Sequence, residues 1–192
     1  MRQGLSFTYA EVRQVLSETH KLNDDLRDII RPLACTGARL TEISGLEVQD
    51  INLQEMTINI RFNATRRLKN NQSVRTVPVV DKRSIEALRI RIAGKRLTDV
   101  VFPRYGREGG PDSASAALSK LLTRIGLKDT RARIPKTTHS LRHAFKDGLR
   151  DAGVHRDVAN MIEGHTAGDE ASKYGSSELL SRKREARRQA AK

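Results

Sequence analysis

The sequence predicts an α+β fold that is mainly helical, with a small three-stranded antiparallel sheet near the N-terminal third. Apolar residues recur at helical spacing over most of the chain, which indicates amphipathic helices. Between residues 47 and 80 the pattern changes to strand-like alternation in short segments, too close together for the helical crossovers of a parallel sheet. The length of 192 residues suits a single domain with a buried core.

Helices are expected ahead of the sheet. The first covers about residues 8–19, with Thr8 as its N-cap, and the second covers about residues 24–34. Pro32 lies inside the second helix, where the missing amide hydrogen is expected to kink it. The Gly in CTGARLTEISGL then breaks the chain, and a short helix is expected over about residues 39–45.

Alternating segments follow, and each predicts a strand. They are EVQDINL, EMTINIRF and SVRTVPVV, with the polar hairpin NATRRLKNNQ between the second and the third. The second strand is expected to place Met56, Ile58, Ile60 and Phe62 on one face. Pro78 cannot donate to a sheet, so it marks a strand end or an edge strand.

The remainder of the chain is predicted to be helical, with an irregular Gly- and Pro-rich connection at VVFPRYGREGGPDS. Helices are expected at DKRSIEALRIRIAG, at residues 113–126, from about residue 138 to residue 153, and at HRDVANMIEGH. Gly164 is expected to close the last of these. The basic C-terminal segment SELLSRKREARRQAAK is either a helix or a frayed tail.

Charge is the informative total, since 36 Lys and Arg against 23 Asp and Glu give a net charge of +13 and a pI near 10.5. Such an excess favours a nucleic-acid partner, although ribosomal and membrane-surface proteins share it. No apolar run approaches a membrane span, and the N-terminus lacks a signal-peptide block. The single Cys35 excludes an intramolecular disulfide and a multi-Cys metal site, and it is expected to be buried and inert. A reducing, cytoplasmic setting is therefore expected.

Three short stretches carry residue types that suit phosphate chemistry. In chain order they are TGARLTEISGL with Arg39 and Glu42, HSLRH with His139 and Arg142, and GH at His165 followed nine residues later by Tyr174. Each has an ordinary explanation when taken singly: a surface ion pair, an exposed polar helix face, and a helix-end His ahead of a loop Tyr. Their order and context favour a functional constellation.

This ordered set resembles the catalytic domain of the tyrosine recombinase, or phage integrase, family. The resemblance runs from about residue 8 to residue 174, with the three stretches matching the family's three boxes and the predicted sheet lying between the first and the second. It implies a catalytic domain over residues 1–176. Residues 177–192 would form a basic tail, either docked onto a neighbouring subunit or solvated.

The resemblance also implies a role for each matching residue. Arg39 and Arg142 would bind the phosphate, His139 would act as base, His165 would donate a further hydrogen bond, Tyr174 would be the nucleophile, and Lys69 on the hairpin would protonate the leaving group. Arg66 and Arg67 adjoin Lys69 and could be mistaken for it. Glu42 matches the acidic residue of the first box and would orient the arginine.

These residue types suit breakage of a DNA phosphodiester without a metal. Two planar guanidinium groups neutralise the charge on the transition state, and a phenol forms a covalent 3′-phosphotyrosine. The expected function is a site-specific DNA recombinase, or integrase, that needs no cofactor and no metal. The alternatives are a type IB topoisomerase-like enzyme and a non-catalytic DNA-binding module of the same fold.

The resemblance implies double-stranded DNA as partner, a tetramer on DNA and a monomer when free. Relatives carry a separate helical DNA-binding domain ahead of the catalytic one, so the full-length protein is expected to have that domain too. For this chain alone, DNA binding is expected to be strongly salt-dependent and of low specificity. No membrane partner is expected, and the protein would associate with the bacterial nucleoid during activity.

Overall fold

A computed structural model describes residues 6–64, 66, 74–129, 131, 134–164 and 176–190, with side chains of the last segment described for residues 181–188. The fold is mainly helical and contains a small three-stranded antiparallel sheet, as the sequence predicts. Within the described ranges, no helix has the length and apolar character needed to cross a bilayer.

The described elements follow one another along the chain in a simple order. They are α1 (Tyr9–Ser17), a 3-10 helix (Glu18–Lys21), α2 (Asp24–Thr36), α3 (Leu40–Ser44), a second 3-10 helix (Val48–Asp50), β1 (Ile51–Asn52), β2 (Thr57–Ile60), β3 (Arg75–Pro78), α4 (Lys82–Ile92), α5 (Gly110–Arg124), α6 (Thr138–Asp151), α7 (Arg156–Glu163) and α8 (Ser176–Ala190).

The helix ends follow local chemistry. The Thr8 hydroxyl caps α1 by accepting a hydrogen bond from the backbone N–H of Glu11, and the Glu11 carboxylate accepts one from the backbone N–H of Thr8. The second helix continues past Pro32 and ends at Gly37, which has a φ of 63°. A Cβ at Gly37 would lie 2.2 Å from the Phe145 ring, so only glycine allows this close approach of α6.

The sheet has the order β1-β2-β3, with both pairs antiparallel. The first predicted strand is mostly wrong, because the Asp50 carboxylate accepts a hydrogen bond from the backbone N–H of Glu47 and closes a 3-10 turn over Val48–Asp50. Only Ile51–Asn52 pairs with the second strand.

The predicted apolar face of the second strand is correct only in its middle. Ile58 and Ile60 are buried, whereas Met56 and Phe62 are 43% and 44% exposed. Strand β2 covers only Thr57–Ile60, and Met56 lies in the preceding turn with a φ of 49°. The residues at both ends of the predicted face therefore lie outside the pleated segment.

Buried apolar side chains form a main core and a smaller one. The main core joins α1 to α5 with the sheet and the start of α6. The smaller one comprises Phe145, Leu149, Val158, Ile162 and Ala186 and joins α6, α7 and α8. The C-terminal segment is therefore helical and packs against its own chain, on α6, α7 and β3. The alternative that this segment docks onto a neighbouring subunit stays a prediction.

Candidate active site

The carboxylate of Glu42 is the centre of a buried ion cluster. Glu42 is 1% exposed and accepts two hydrogen bonds from Arg39, one from the backbone N–H at 2.7 Å and one from Nη1 at 2.7 Å. These bonds arise from the start of α3, where Arg39 is the N-cap and Glu42 occupies the third helical position. The sequence TGARLTE thus places the Arg39 side chain at a helix N-terminus, and the Glu42 carboxylate fixes one edge of its guanidinium group.

Arg75 provides the second pair of hydrogen bonds to Glu42. Its Nη1 and Nη2 donate to the two carboxylate oxygens at 3.0 Å and 2.8 Å, and its side chain is 4% exposed. Burial by itself raises the pKa of the Glu42 carboxyl, but hydrogen bonds and positive charge from Arg75 and Arg39 hold that pKa below its ordinary value. Glu42 is therefore ionised at neutral pH despite its burial.

Arg75 also ties the cluster to the end of α7. Its Nε donates to the carbonyl oxygen of Ile162 at 2.9 Å. Gly164 closes α7 with a φ of 68°, and a Cβ there would lie 2.8 Å from Nη1 of Arg75. One guanidinium thus holds α3, β3 and the end of α7 together.

The sequence analysis missed Arg75, although its signal is present. Arg75 pairs with Ile60 across the sheet, and Val77, on the same face of β3, pairs with Ile58. Since Ile58, Ile60 and Val77 are buried, a cation in this row requires a buried anion. The first-box carboxylate is that anion.

Arg142 approaches the same region from α6. It is 5% exposed, and its two terminal nitrogens donate to the carbonyl oxygens of Gly37 and Glu163, the latter at 2.7 Å. Burial lowers the pKa of Arg142 to about 10, and the positive charge of Arg39 acts in the same direction. Gly37 precedes Arg39 by two residues, so the two arginines predicted to act together are held at one junction between α2 and α3.

His139 lies one helical turn before Arg142, in the first turn of α6. Its ring is solvent-accessible and meets the His143 ring edge to face, with 5.9 Å between the ring centroids. The protein atoms around the ring, followed by the positive charge of Arg142, lower the pKa of His139. The imidazole is therefore neutral at pH 7 and has a lone pair that can accept a proton.

The predicted site residues Lys69, His165 and Tyr174 lie outside the described residues, as does Arg67. Arg66 is described and has a structural role. It is 1% exposed, its Nη2 donates to Asp50 at 3.1 Å, and its Nη1 donates to the backbone oxygen of Glu42 at 3.1 Å. These contacts hold Arg66 against α3 and the 3-10 turn at Val48–Asp50.

The described part of the cluster is rich in cations and suits an anion. Arg39 has one nitrogen on Glu42, and its side chain is 21% exposed, so the guanidinium reaches the surface. Among the described residues, no group of His, Cys, Asp and Glu side chains has an arrangement that could hold a metal ion. Guanidinium donors beside a neutral imidazole match the needs of a phosphate that undergoes substitution.

Comparisons with known proteins agree with this chemistry. A family model described as the phage integrase family matches residues 6–179. The chain is 26% identical over 167 residues to the tyrosine recombinase XerA of Pyrococcus furiosus. This match covers 84% of this chain and 54% of that protein. It is 29% identical over 148 residues to the tyrosine recombinase XerD of Staphylococcus epidermidis, and this match covers 73% of this chain and 46% of that protein. The chain thus spans about half the length of the curated relatives it matches.

Solved structures share the fold. The integrase from mycobacterium phage Brujita gives a TM-score of 0.66 at 20% identity, over 99% of this chain and 58% of that one. The XerA recombinase gives a TM-score of 0.65 at 22% identity, over 94% of this chain and 62% of that one. The Tn1549 transposon integrase in complex with transposon right end DNA gives a TM-score of 0.65 at 20% identity, over 98% of this chain and 67% of that one. With a family model matched over most of its length, the chain belongs to the phage integrase family.

Proposed function

We propose that this chain is the catalytic domain of a site-specific DNA recombinase that cleaves and rejoins DNA through a covalent 3′-phosphotyrosine, without a metal. The observation that supports it most strongly is the convergence of Arg39, His139 and Arg142 around the buried Glu42 carboxylate. Two separate stretches of the sequence, at the start of α3 and in the first turns of α6, thus place two guanidinium groups and an imidazole in one region, which supports a phosphate as their ligand.

Arg39 and Arg142 bind the scissile phosphate in this proposal. A guanidinium group donates in a planar fork that matches two phosphate oxygens, and it keeps its charge in a partly buried site. Arg142, with a pKa near 10, remains protonated at neutral pH. Glu42 and Arg75 have no contact with the DNA in this scheme and act by positioning Arg39 and the end of α7.

Tyr174 is the proposed nucleophile, and the other two tyrosines are poor candidates. Tyr105 is 3% exposed, and its hydroxyl accepts a hydrogen bond from Nδ2 of Asn23 at 2.7 Å. Partial burial and the charges of Asp151 and Asp147 raise the pKa of Tyr9, which disfavours its phenolate.

The proposed step exchanges one phosphoester bond for another. The Tyr174 oxygen attacks phosphorus while the bond from phosphorus to the 5′-oxygen breaks, which yields a 3′-phosphotyrosine and a 5′-hydroxyl. His139 takes the phenolic proton, since its lowered pKa keeps the imidazole neutral. Lys69 gives a proton to the leaving 5′-oxygen, and His165 donates to a non-bridging oxygen. Rejoining runs the same step in reverse.

Double-stranded DNA is the proposed partner. The net charge of +13 suits it, and solved relatives are described in complex with DNA, among them a XerH recombinase bound to its difH substrate. We propose a tetramer on DNA and a monomer when free. A further N-terminal DNA-binding domain and a nucleoid location during activity belong to the same proposal.

A trapped covalent adduct tests this function. In a pool of duplexes with randomised sequence and a nick at one fixed position, some members carry the nick close to the attacked phosphate. Attack on these releases a short fragment, so that the protein–DNA adduct accumulates and survives denaturing electrophoresis. Tyr174→Phe is expected to abolish the adduct, and Tyr9→Phe, the matched control, is expected to retain it. An adduct of unchanged yield in Tyr174→Phe would falsify the nucleophile assignment.

Plasmid relaxation and strand exchange between two duplexes, measured beside the adduct, separate the alternatives. A topoisomerase-like enzyme would relax supercoiled plasmid without exchanging strands between two sites, whereas a recombinase joins strands from two duplexes. A non-catalytic module would bind the duplex and give no adduct. Arg142→Ala is expected to slow adduct formation by about 10²-fold or more with little loss of DNA binding, because its charge acts on the transition state.

A further inference from the structure

Another buried guanidinium lies away from the Glu42 cluster and has no contacting carboxylate among the described residues. Arg187, on α8, is 1% exposed, and within the described part of the chain its three side-chain nitrogens have no oxygen acceptor within hydrogen-bond distance, while the Cys35 thiol lies beside them. Its Cζ lies 5.1 Å from the centroid of the Phe145 ring. A cation–π contact of this kind compensates only part of the cost of burying a charge.

Arg187 forms part of the wall of a cleft of about 950 Å³. The other walls come from α1, α2, α6 and the chain that leads into α4. The volume lies at the upper end of the range for small-molecule sites, roughly 300–1,000 Å³. None of the residues of the Glu42 cluster lines it.

Charge in this cleft is strongly unbalanced. Its ionisable lining comprises five cations against two carboxylates: Arg13, Arg31, Lys82, Arg83 and Arg187 against Asp81 and Asp151. One of the carboxylates is already engaged, since Asp81 accepts from the backbone N–H and hydroxyl of Ser84 at 2.8 Å and 2.7 Å as the N-cap of α4. An anion that enters the cleft would therefore meet a positive environment.

The remaining lining is apolar. Val12, Leu16, Ala144 and Phe145 contribute side chains that cannot pair with a charge. Cys35 adds a thiol beside Arg187, and burial raises its pKa, so this group is neutral and supplies no negative charge to balance the guanidinium. The cleft thus combines an apolar wall with a guanidinium that has donors to spare.

We propose that this cleft binds an oxyanion carried on an apolar body, a carboxylate or a phosphate ester with a short hydrocarbon chain. The oxyanion accepts hydrogen bonds from the Arg187 guanidinium, and the hydrocarbon chain packs against Phe145, Val12 and Leu16. Because Arg187 lies on α8 and the other walls lie on α1, α2 and α6, the bound ligand links the C-terminal helix to the body of the domain.

Calorimetric titration at pH 7 tests the site with defined probes. Octanoate and octyl phosphate carry the oxyanion and the chain, octanol carries the chain alone, and inorganic phosphate carries the oxyanion alone. The proposal expects octanoate or octyl phosphate to bind at least tenfold more tightly than octanol and inorganic phosphate, and the tighter of the two identifies the headgroup. Equal affinity for octanoate, octyl phosphate and octanol, or no binding of any probe, overturns the proposal.

Two variants locate the binding. Arg187→Met keeps the length of the side chain, removes the charge, and is expected to weaken binding of the preferred anion at least tenfold. Arg188→Met is the matched control, because Arg188 is an exposed neighbour on the same helix, 3.9 Å from Glu185, and should leave the affinity unchanged. Unchanged affinity in Arg187→Met contradicts the assignment.

A measurement on the unmodified chain keeps the test independent of mutant folding. Hydrogen exchange of the α8 amides should slow when the preferred anion is added and should be unaffected by octanol at equal concentration. Slower exchange elsewhere with none in α8 would place the ligand at another site and reject the proposal. These readouts do not require DNA cleavage, so they stand or fall separately from the recombinase function.

Discussion

Two of the buried arginine sites in this domain, those at Glu42 and at Arg187, differ in whether an anion lies beside the guanidinium. Around Glu42, a carboxylate that is 1% exposed accepts from both Arg39 and Arg75. Around Arg187, the described residues supply an aromatic face and a thiol but no contacting carboxylate.

The comparison separates two uses of a buried cation. A compensated cluster is held by several charge-assisted hydrogen bonds, which fix the position of each side chain, as a catalytic site requires. An uncompensated guanidinium is costly to bury, and a matching anion relieves that cost. The first arrangement positions groups for chemistry, and the second favours uptake of a ligand.

Removal of the central carboxylate should have the largest effect. Glu42→Ala leaves Arg75 buried without its anion, and we expect the free energy of unfolding to fall by about 3–5 kcal/mol. Urea unfolding followed by circular dichroism measures this loss. Glu55→Ala is the control, since Glu55 is 55% exposed and its ion pair with Arg184 is expected to contribute less than about 1 kcal/mol. Equal losses in the two variants would show that Glu42 does not organise the site.

Neutralising the uncompensated arginine should have the opposite sign. Arg187→Met removes a buried charge and keeps an apolar side chain on Phe145, so we expect the free energy of unfolding to rise by about 1–4 kcal/mol. Arg188→Met, at an exposed position, should change it by less than about 0.5 kcal/mol. A clear loss of stability in Arg187→Met would mean that the guanidinium is already compensated.

The positioning role of Arg75 predicts a smaller, kinetic effect. Lysine keeps the charge but cannot donate to both carboxylate oxygens and to the carbonyl of Ile162. Arg75→Lys is therefore expected to slow single-turnover adduct formation about tenfold, roughly 1.4 kcal/mol in the barrier, with unchanged affinity for DNA.

A matched substitution elsewhere controls for simple destabilisation. Arg91 forms a comparable pair of contacts with Asp25 and Asp28, at the other end of α2. Arg91→Lys should lower stability and leave the cleavage rate of the folded protein intact. If both variants slow cleavage equally, Arg75 has no special role in positioning.

The pH dependence of cleavage provides the smallest and sharpest distinction. Burial, followed by the charge of Arg142, lowers the pKa of His139, and protonation of the imidazole abolishes its capacity as a base. The cleavage rate should therefore fall with decreasing pH only below the ordinary histidine value of about 6.5. Arg187→Met should leave this acidic fall in the cleavage rate unchanged. A fall that lies above pH 6.5 would contradict the assigned base.

Local sequence signals predicted much of this fold and site. Thr8 and Gly164 mark helix ends through their own side-chain and backbone chemistry, and both act as expected. Arg39 and Arg142 were expected to converge, and α3 and α6 bring them to one junction. Such features can be predicted from the sequence because each depends on a few residues that are close together in the chain.

Features that depend on tertiary packing were not predicted. The alternation around Met56 looks like a strand, but a turn with positive φ ends the pairing there. Six of the eight residues from 181 to 188 are charged, and only the packed structure shows that Lys183 and Arg187, one helical turn apart, face the protein. The environment of a charged residue on a helix is set by its neighbours in space, which periodicity does not reveal.

The identity of the residue that becomes linked to DNA tests the account most directly. Trypsin digestion of the trapped adduct, followed by mass spectrometry, locates the bound nucleotide on one peptide. We predict the peptide of residues 174–182, YGSSELLSR, with the phosphate on Tyr174. A nucleotide on a peptide that contains Tyr9 or Tyr105, or on a serine, would contradict the account and separate the Glu42 cluster from the chemistry.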